Sequence, residues 1–213
     1  TPTSGIWQTV WMEPVEDVSV KNLKILPDID KGTLTVEAAL KGWAINYKLK
    51  IQAFENGKEI ASEISAVDKP VSLKIINPKL WSPDSPFLYD LKVSLMQGDK
   101  IVDEVASYFG MRKISVARDA AGLMRIHLNN KEIFQLGPLD QGYWPDGNML
   151  PASDEALKYD VEYLKKIGCN MDRIHIKVQP DRFYYYCDKL GILVWQDMIS
   201  PWSSYSRSEI GGA

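Results

Sequence analysis

The feature that most constrains this 213-residue chain is a change of hydrophobic rhythm near residue 118. Before it, apolar side chains recur at every second position. Leu34, Val36, Ala38 and Leu40 alternate with polar or small residues, as do Tyr47, Leu49, Ile51 and Ala53, and again Tyr89, Leu91, Val93 and Leu95. A period of two belongs to half-buried strands. Segments at Val18 to Leu23, Ile60 to Ile64, Val71 to Ile75 and Ile101 to Phe109 bring the count to about seven strands. Asn56-Gly57 is a strong hairpin signal, because a type I′ turn needs positive φ at both central residues. Gly98-Asp99 marks a second turn. Such a series predicts an immunoglobulin-like β-sandwich, without the inter-sheet disulfide because the Cys…Trp…Cys spacing is absent.

After residue 118 the pattern becomes strand, helix, strand, helix, strand. Lys131 to Leu136 reads as a strand. Ser153 is an N-cap, with Asp154 and Glu155 favoured by the helix dipole in the first turn. Leu157, Val161, Leu164 and Ile167 predict one buried helix face, closed by Lys165, Lys166 and Gly168. Cys169 to Ile176 is the next strand. Pro180 opens a helix that runs through Tyr184 and Cys187 to Leu190, and Gly191 ends it. Ile192 to Trp195 is a third strand. Two successive crossovers imply parallel strands with right-handed connections. They suit either the start of an eight-stranded barrel or half of a doubly wound sheet. The absence of GxGxxG and of a Walker-type loop weighs against the second.

Charge narrows the partners. With 25 Lys+Arg against 28 Asp+Glu the net charge is −3, which gives no electrostatic reason to expect nucleic acid or an anionic membrane. No apolar run approaches the ~20 residues of a membrane span, and the first residues do not read as a signal peptide. Two cysteines, Cys169 and Cys187, are too few for a disulfide framework and read as free thiols. No spacing of His, Cys, Asp or Glu suggests a metal site, and no cofactor is expected.

Several segments together resemble glycoside hydrolase family 2, which includes β-galactosidases, β-glucuronidases and β-mannosidases. Ser4-Gly5-Ile6-Trp7-Gln8 and Trp11-Met12-Glu13-Pro14 look like the last strand of its N-terminal jelly roll. Leu80-Trp81-Ser82-Pro83-Asp84-Ser85-Pro86-Phe87-Leu88-Tyr89 looks like a late-strand motif of its sandwich, and Phe109-Gly110-Met111-Arg112 matches the exit from it. Leu128 to Glu132 resembles the hairpin into barrel strand one. Asp160 to Asp197 resembles barrel helix one through strand three, including Asn170-x-x-Arg173 and Leu193-Val194-Trp195-Gln196-Asp197. Gly137 to Pro145 further resembles a branch of uncharacterised members, many of them from polysaccharide-degrading bacteria. The family's usual Arg-Gly after strand one is Leu136-Gly137, and Asp172 stands where an apolar residue is usual.

The resemblance implies three parts: 1–16 as a jelly-roll remnant, 17–118 as the sandwich, and 119–213 as the start of a (β/α)8 TIM barrel. It implies a parent enzyme that hydrolyses terminal β-linked sugars, β-galactosidase-like, by a retaining mechanism with two glutamates. Both would follow later barrel strands, so no catalytic residue is expected within this chain, and the fragment alone is expected to be inactive. Arg173 would support the nucleophile carboxylate; the other reading is an ion pair with Asp172 or Asp197. His175 would bind sugar or nucleophile, or be a satisfied buried group. Asp140, Asp146 and Asp197 fall at or just past strand ends, the functional face of a barrel. Gln141 stands about where the family's His contacts sugar. Tyr143, Trp144 and Trp202 are candidates for sugar stacking, whereas Trp195 and the run Phe183 to Tyr186 read as core and interface. The partner implied is a β-linked carbohydrate. An uncovered apolar face on the incomplete barrel leaves a homo-oligomer open. A rival reading is a non-catalytic carbohydrate-binding or scaffolding sandwich.

Overall fold

The structure is a computed structural model that describes residues 5, 6 and 8–198, and the chain divides into two compact units. The larger is Val10–Phe134. It contains β1 (Ser19–Asp28), β2 (Thr33–Lys41), β3 (Tyr47–Glu55), β4 (Lys58–Ala66), β5 (Val71–Lys74), β6 (Tyr89–Gln97) and β7 (Lys100–Phe109). All pairings among them are antiparallel. They form two sheets, β1-β2-β5 and β4-β3-β6-β7. The alternation explains the layers. Leu34 and Val36 of β2, with Val71 and Leu73 of β5, face Leu49, Ile51 and Ala53 of β3 and Leu91, Val93 and Leu95 of β6, all buried. This is the β-sandwich expected from the period. Asn56 (φ 50°) and Gly57 (φ 80°) both adopt positive φ, as the two-residue turn between β3 and β4 demands.

Trp81 closes the sandwich. It is fully buried; its backbone N–H donates to the Met111 carbonyl at 2.9 Å, and its carbonyl accepts from Asn129 Nδ2 at 2.9 Å. The Arg112 guanidinium lies 4.5 Å from a Trp81 ring centroid. A Cβ on Gly110 would come within 3.2 Å of the Trp81 Cβ, so a small residue is required for that approach. The tryptophan, glycine and arginine of the two family-like motifs therefore meet in one packing unit. A hairpin of β8 (Ile114–Arg118) and β9 (Met124–Leu128), edged by β10 (Lys131–Glu132), belongs by its contacts to this unit. Residues 11–16 form no strand, and Val10, Trp11 and Met12 are exposed; Ser4 and Trp7 of the first family-like segment lie outside the described residues.

The second unit holds β11 (Leu139–Asp140), α1 (Asp154–Lys166), β12 (Met171–Ile174), α2 (Asp181–Leu190) and β13 (Leu193–Gln196). The three strands pair in parallel in sequential order, with Leu139 opposite Arg173 and Arg173 opposite Trp195. Leu157, Val161, Ile174, Phe183, Tyr186, Cys187 and Ile192 form its core between helices and sheet. Ser153 caps α1, its Oγ accepting from the Ala156 N–H at 3.2 Å, and Gly191 ends α2 in the left-handed region at φ 83°.

Four readings of the sequence are corrected here. The first parallel strand is Leu139–Asp140 rather than 131–136; Phe134 and Leu136 are exposed, and 131–132 instead edges the hairpin. Ile167 is exposed at the helix C-cap, because ten residues at about 100° each fall about 80° short of three turns from Leu157. Trp195 is 44% exposed rather than core, since it shares the sheet face opposite the helices with Leu139 and Arg173. Trp144 is half-buried against the core rather than a free loop side chain. Cys169 and Cys187 are free thiols, as expected. Among the described residues no helix is long and apolar enough to cross a membrane.

Candidate active site

The polar residues singled out in the sequence gather at the C-terminal ends of β11, β12 and β13. Gly137 permits this arrangement. A Cβ there would sit 1.7 Å from the Met171 carbonyl oxygen, so only glycine lets β11 lie against β12. Asn170 Oδ1 accepts the Leu136 N–H at 2.8 Å, which fixes the register below the strands. The ladder then carries Arg173 N–H to the Pro138 carbonyl (3.1 Å) and His175 N–H to the Asp140 carbonyl (2.8 Å).

Arg173 pairs with Asp197, not Asp172. Its Nε and Nη2 reach Asp197 Oδ1 and Oδ2 at 3.1 and 3.0 Å, a bidentate fork. The pair uses one edge of the guanidinium, and the side chain stays 46% exposed. The Nη1 donors are therefore free of Asp197. Hydrogen bonding from Arg173, then its charge and that of His175, hold the Asp197 carboxyl below the usual carboxylate range. His175 meets Gln141, with Nδ1 3.3 Å from Gln141 Nε2. Arg173, Asp197, His175 and Gln141 thus form one cluster. Asp146 lies exposed in the loop after β11, and Trp202 lies outside the described residues.

Asp140 belongs to an adjoining network that the sequence reading missed. Its Oδ2 accepts from Gln179 Nε2 at 3.0 Å and its Oδ1 from the Gly142 N–H at 2.5 Å. Lys177 is 7% exposed and donates from Nζ to the Gly142 carbonyl at 2.7 Å. Burial lowers its pKa, and the charge of Asp140 opposes that fall. Gln196 ties the third strand in, donating to the Lys177 carbonyl (2.6 Å) and accepting from the Tyr184 hydroxyl (2.5 Å). The polar residues of Lys177-Val178-Gln179, just before Pro180, were the available signal; an expectation of solvated charge hid it.

Asp172 points the other way, into the helix side of the sheet. It is 2% exposed, and its Oδ1 has no hydrogen-bond partner among the described residues. Burial, with the negative charges of Asp140 and Asp160, pushes its pKa up to about 7. Burial likewise pushes the Cys187 thiol up. No group of three or more His, Cys, Asp or Glu suited to a metal occurs among the described residues. In the sandwich unit an open cleft of about 800 Å³ contains Asp28, Asp30, Lys31 and Lys113. Those charges pair with one another, Asp28 with Lys31 at 3.1 Å and Asp30 with Lys113 at 2.5 Å.

Comparison with known proteins agrees with the resemblance. The family model "Glycosyl hydrolases family 2" matches residues 18–112. A putative beta-glucuronidase of Formosa agariphila is 29% identical over 217 residues, covering 97% of this chain and 20% of that protein. A beta-galactosidase of Lactococcus lactis subsp. lactis is 23% identical over 198 residues, covering 91% of this chain and 19% of that protein. A solved β-glucuronidase from Ruminococcus gnavus, in complex with D-glucuronic acid, superposes with a TM-score of 0.74 at 19% identity, covering 86% of this chain and 31% of that one. The chain thus spans about a fifth of the length of these curated relatives. Through the sandwich domain at residues 18–112, the chain belongs to glycosyl hydrolases family 2, a family of glycosidases.

Proposed function

We propose that this chain is part of a retaining β-glycosidase whose catalytic unit is a (β/α)8 barrel beginning at β11. In this reading α1 and α2 are the first two barrel helices, and the two catalytic glutamates come from sequence other than these residues. The observation that carries the reading is the Arg173–Asp197 fork beside His175 and Gln141, at the C-terminal ends of consecutive parallel strands. Barrel enzymes build their active sites at that end.

The chemistry follows from the fork. A retaining glycosidase needs one carboxylate that stays ionised as nucleophile, about 5–5.5 Å from a carboxyl that serves as acid and base. Asp197 takes one edge of Arg173, and the outer donors remain to grip a second carboxylate. Holding it by charge-assisted hydrogen bonds lowers its pKa and fixes its aim. His175 and Gln141 would then present polar groups to sugar hydroxyls, and exposed Tyr143 a stacking surface. The substrate is a terminal β-linked sugar. A galactoside follows from the resemblance, and glucuronides from the first relatives.

The test is turnover of p-nitrophenyl β-galactoside, β-glucuronide and β-mannoside by the protein that contains this chain. Cleavage of one of them with retention, lost on Arg173→Lys while the fold is kept, is the expected result. Glycan binding without turnover of any of the three would instead favour a non-catalytic carbohydrate-binding role.

A further inference from the structure

One backbone conformation at this site is costly. Ile176, the residue after His175, has φ +51°. Glycine enters this left-handed region freely and Asn or Asp with little strain, whereas a β-branched side chain there is an outlier. Each such residue costs on the order of a few kcal/mol and persists only where its surroundings over-determine it.

The surroundings do so here. On the N-terminal side, the His175 N–H is fixed to the Asp140 carbonyl at 2.8 Å. On the C-terminal side, Lys177 is held at both ends: its carbonyl accepts from Gln196 Nε2 at 2.6 Å, and its Nζ donates to the Gly142 carbonyl at 2.7 Å. The Asp197 N–H reaches back to the Ile174 carbonyl at 3.1 Å. The Asp197 carboxylate, already gripped by Arg173, also draws on the Ile176 backbone N–H. A relaxed turn at 176 would break this last bond and swing His175 away from Gln141.

We infer that Asp197 is a positioning residue that clamps the strained turn at Ile176, and that the clamped turn holds the His175 imidazole in one tautomer beside Arg173 and Gln141. The functional meaning rests on the proposed reading of His175 and Arg173 as active-site groups. One carboxylate would thereby set two of them at once, Arg173 by the fork and His175 through the backbone.

The test is nitrogen-resolved ring spectroscopy of the 213-residue chain, which has two histidines. His127→Gln assigns the His175 signals. Because Nδ1 accepts from Gln141 Nε2, the neutral ring is expected as the single Nε2–H tautomer. Asp197→Asn should convert it to a tautomer mixture, seen as convergence of the two ring nitrogen shifts. Adding Ile176→Gly should restore the single tautomer, since glycine holds the turn without a clamp. Unchanged shifts in Asp197→Asn, or no recovery in the double variant, overturns the inference. If Asp197→Asn fails to fold, the comparison of Ile176→Gly with Ile176→Ala decides. Glycine should unfold at higher denaturant than alanine, the reverse of the order at an ordinary position, and alanine equal or better overturns the strained turn. Neither readout needs glycoside turnover. A negative result leaves the glycosidase reading standing, and absence of turnover leaves these spectra interpretable.

Discussion

Asp172→Asn should stabilise the β/α unit in a strongly pH-dependent way. Asp172 is 2% exposed, has an unpartnered Oδ1, and has its pKa pushed up from 3.8 to about 7, by burial first and by Asp140 and Asp160 next. The sign follows from proton counting. The folded carboxyl holds its proton up to about pH 7, while the unfolded one releases it near 3.8. Between those values the unfolded state binds fewer protons, so stability falls as pH rises. At about 1.36 kcal/mol per tenfold, the full interval comes to about 4 kcal/mol lost above pH 7 and essentially none below 3.8. Relaxation of the site makes this an upper bound. Asparagine has similar shape and no charge, so it removes the dependence.

The buried thiol of Cys187 on α2 reports opening of the same unit, since it is 1% exposed. In a Cys169→Ser background, its rate of reaction with 4,4′-dithiodipyridine should be higher when Asp172 is kept than in the Asp172→Asn variant at each pH. Taking the ratio of the two rates at fixed pH cancels the thiol's own titration. That ratio should grow roughly a hundredfold from pH 5 to pH 8, two tenfold steps up to the folded pKa. An equal ratio at both pH values would refute the argument, because it would mean that Asp172 bears no unfavourable buried charge.

Gly137→Ala should abolish protection of the amides of β12 while those of β3 and β6 stay slow to exchange, because its Cβ meets the Met171 carbonyl at 1.7 Å; a loss of more than about 3 kcal/mol is expected for such a backbone clash. Trp81→Ala should cost about 3–5 kcal/mol of sandwich stability in urea, from the cavity it leaves and the lost stacking with Arg112. Ser153→Ala should cost about 1 kcal/mol, read from exchange of the first-turn amides of α1. Asp140→Asn should lower the pKa of Asp172 and deepen the depression of Lys177, since Asp140 raises both; carbon-resolved titration of the Lys177 ε-methylene and the Asp172 carboxyl would show it, and movement in the opposite sense would contradict the geometry.

What the sequence disclosed depended on how many residues shared a signal. β2, β3 and β6 each bury one alternating face over nine residues, so their period survives any local irregularity. The Asn56-Gly57 turn and the Ser153 cap are single-residue signals, yet each answers a local backbone need that tertiary packing does not change. β11 spans two residues and has no period to read. Its place is set by Gly137 against Met171, a contact 34 positions away in the chain, and the apolar stretch at 131–136 drew the expectation instead. Trp195 looked like core because its neighbours are apolar. Which face of a parallel strand is covered depends on the helices, and they cover the face of Ile174 and Leu193.

The site divides along the same line. Arg173, Asp197, His175 and Gln141 were legible because strand ends in an α/β repeat converge on one edge whatever the detailed packing. The partner of Arg173 was not, because Asp172 and Asp197 were both within reach on paper. The pleat decides it. Successive residues of β12 point to opposite faces, so Asp172 must go toward the helices once Arg173 takes the face of Trp195. An arginine with a surface partner and an aspartate with none are therefore two results of a single register. The buried acid is a consequence of placing Arg173 at the strand end, unless a proton or a change of residue neutralises it. The raised pKa of Asp172 supplies the proton at neutral pH and below.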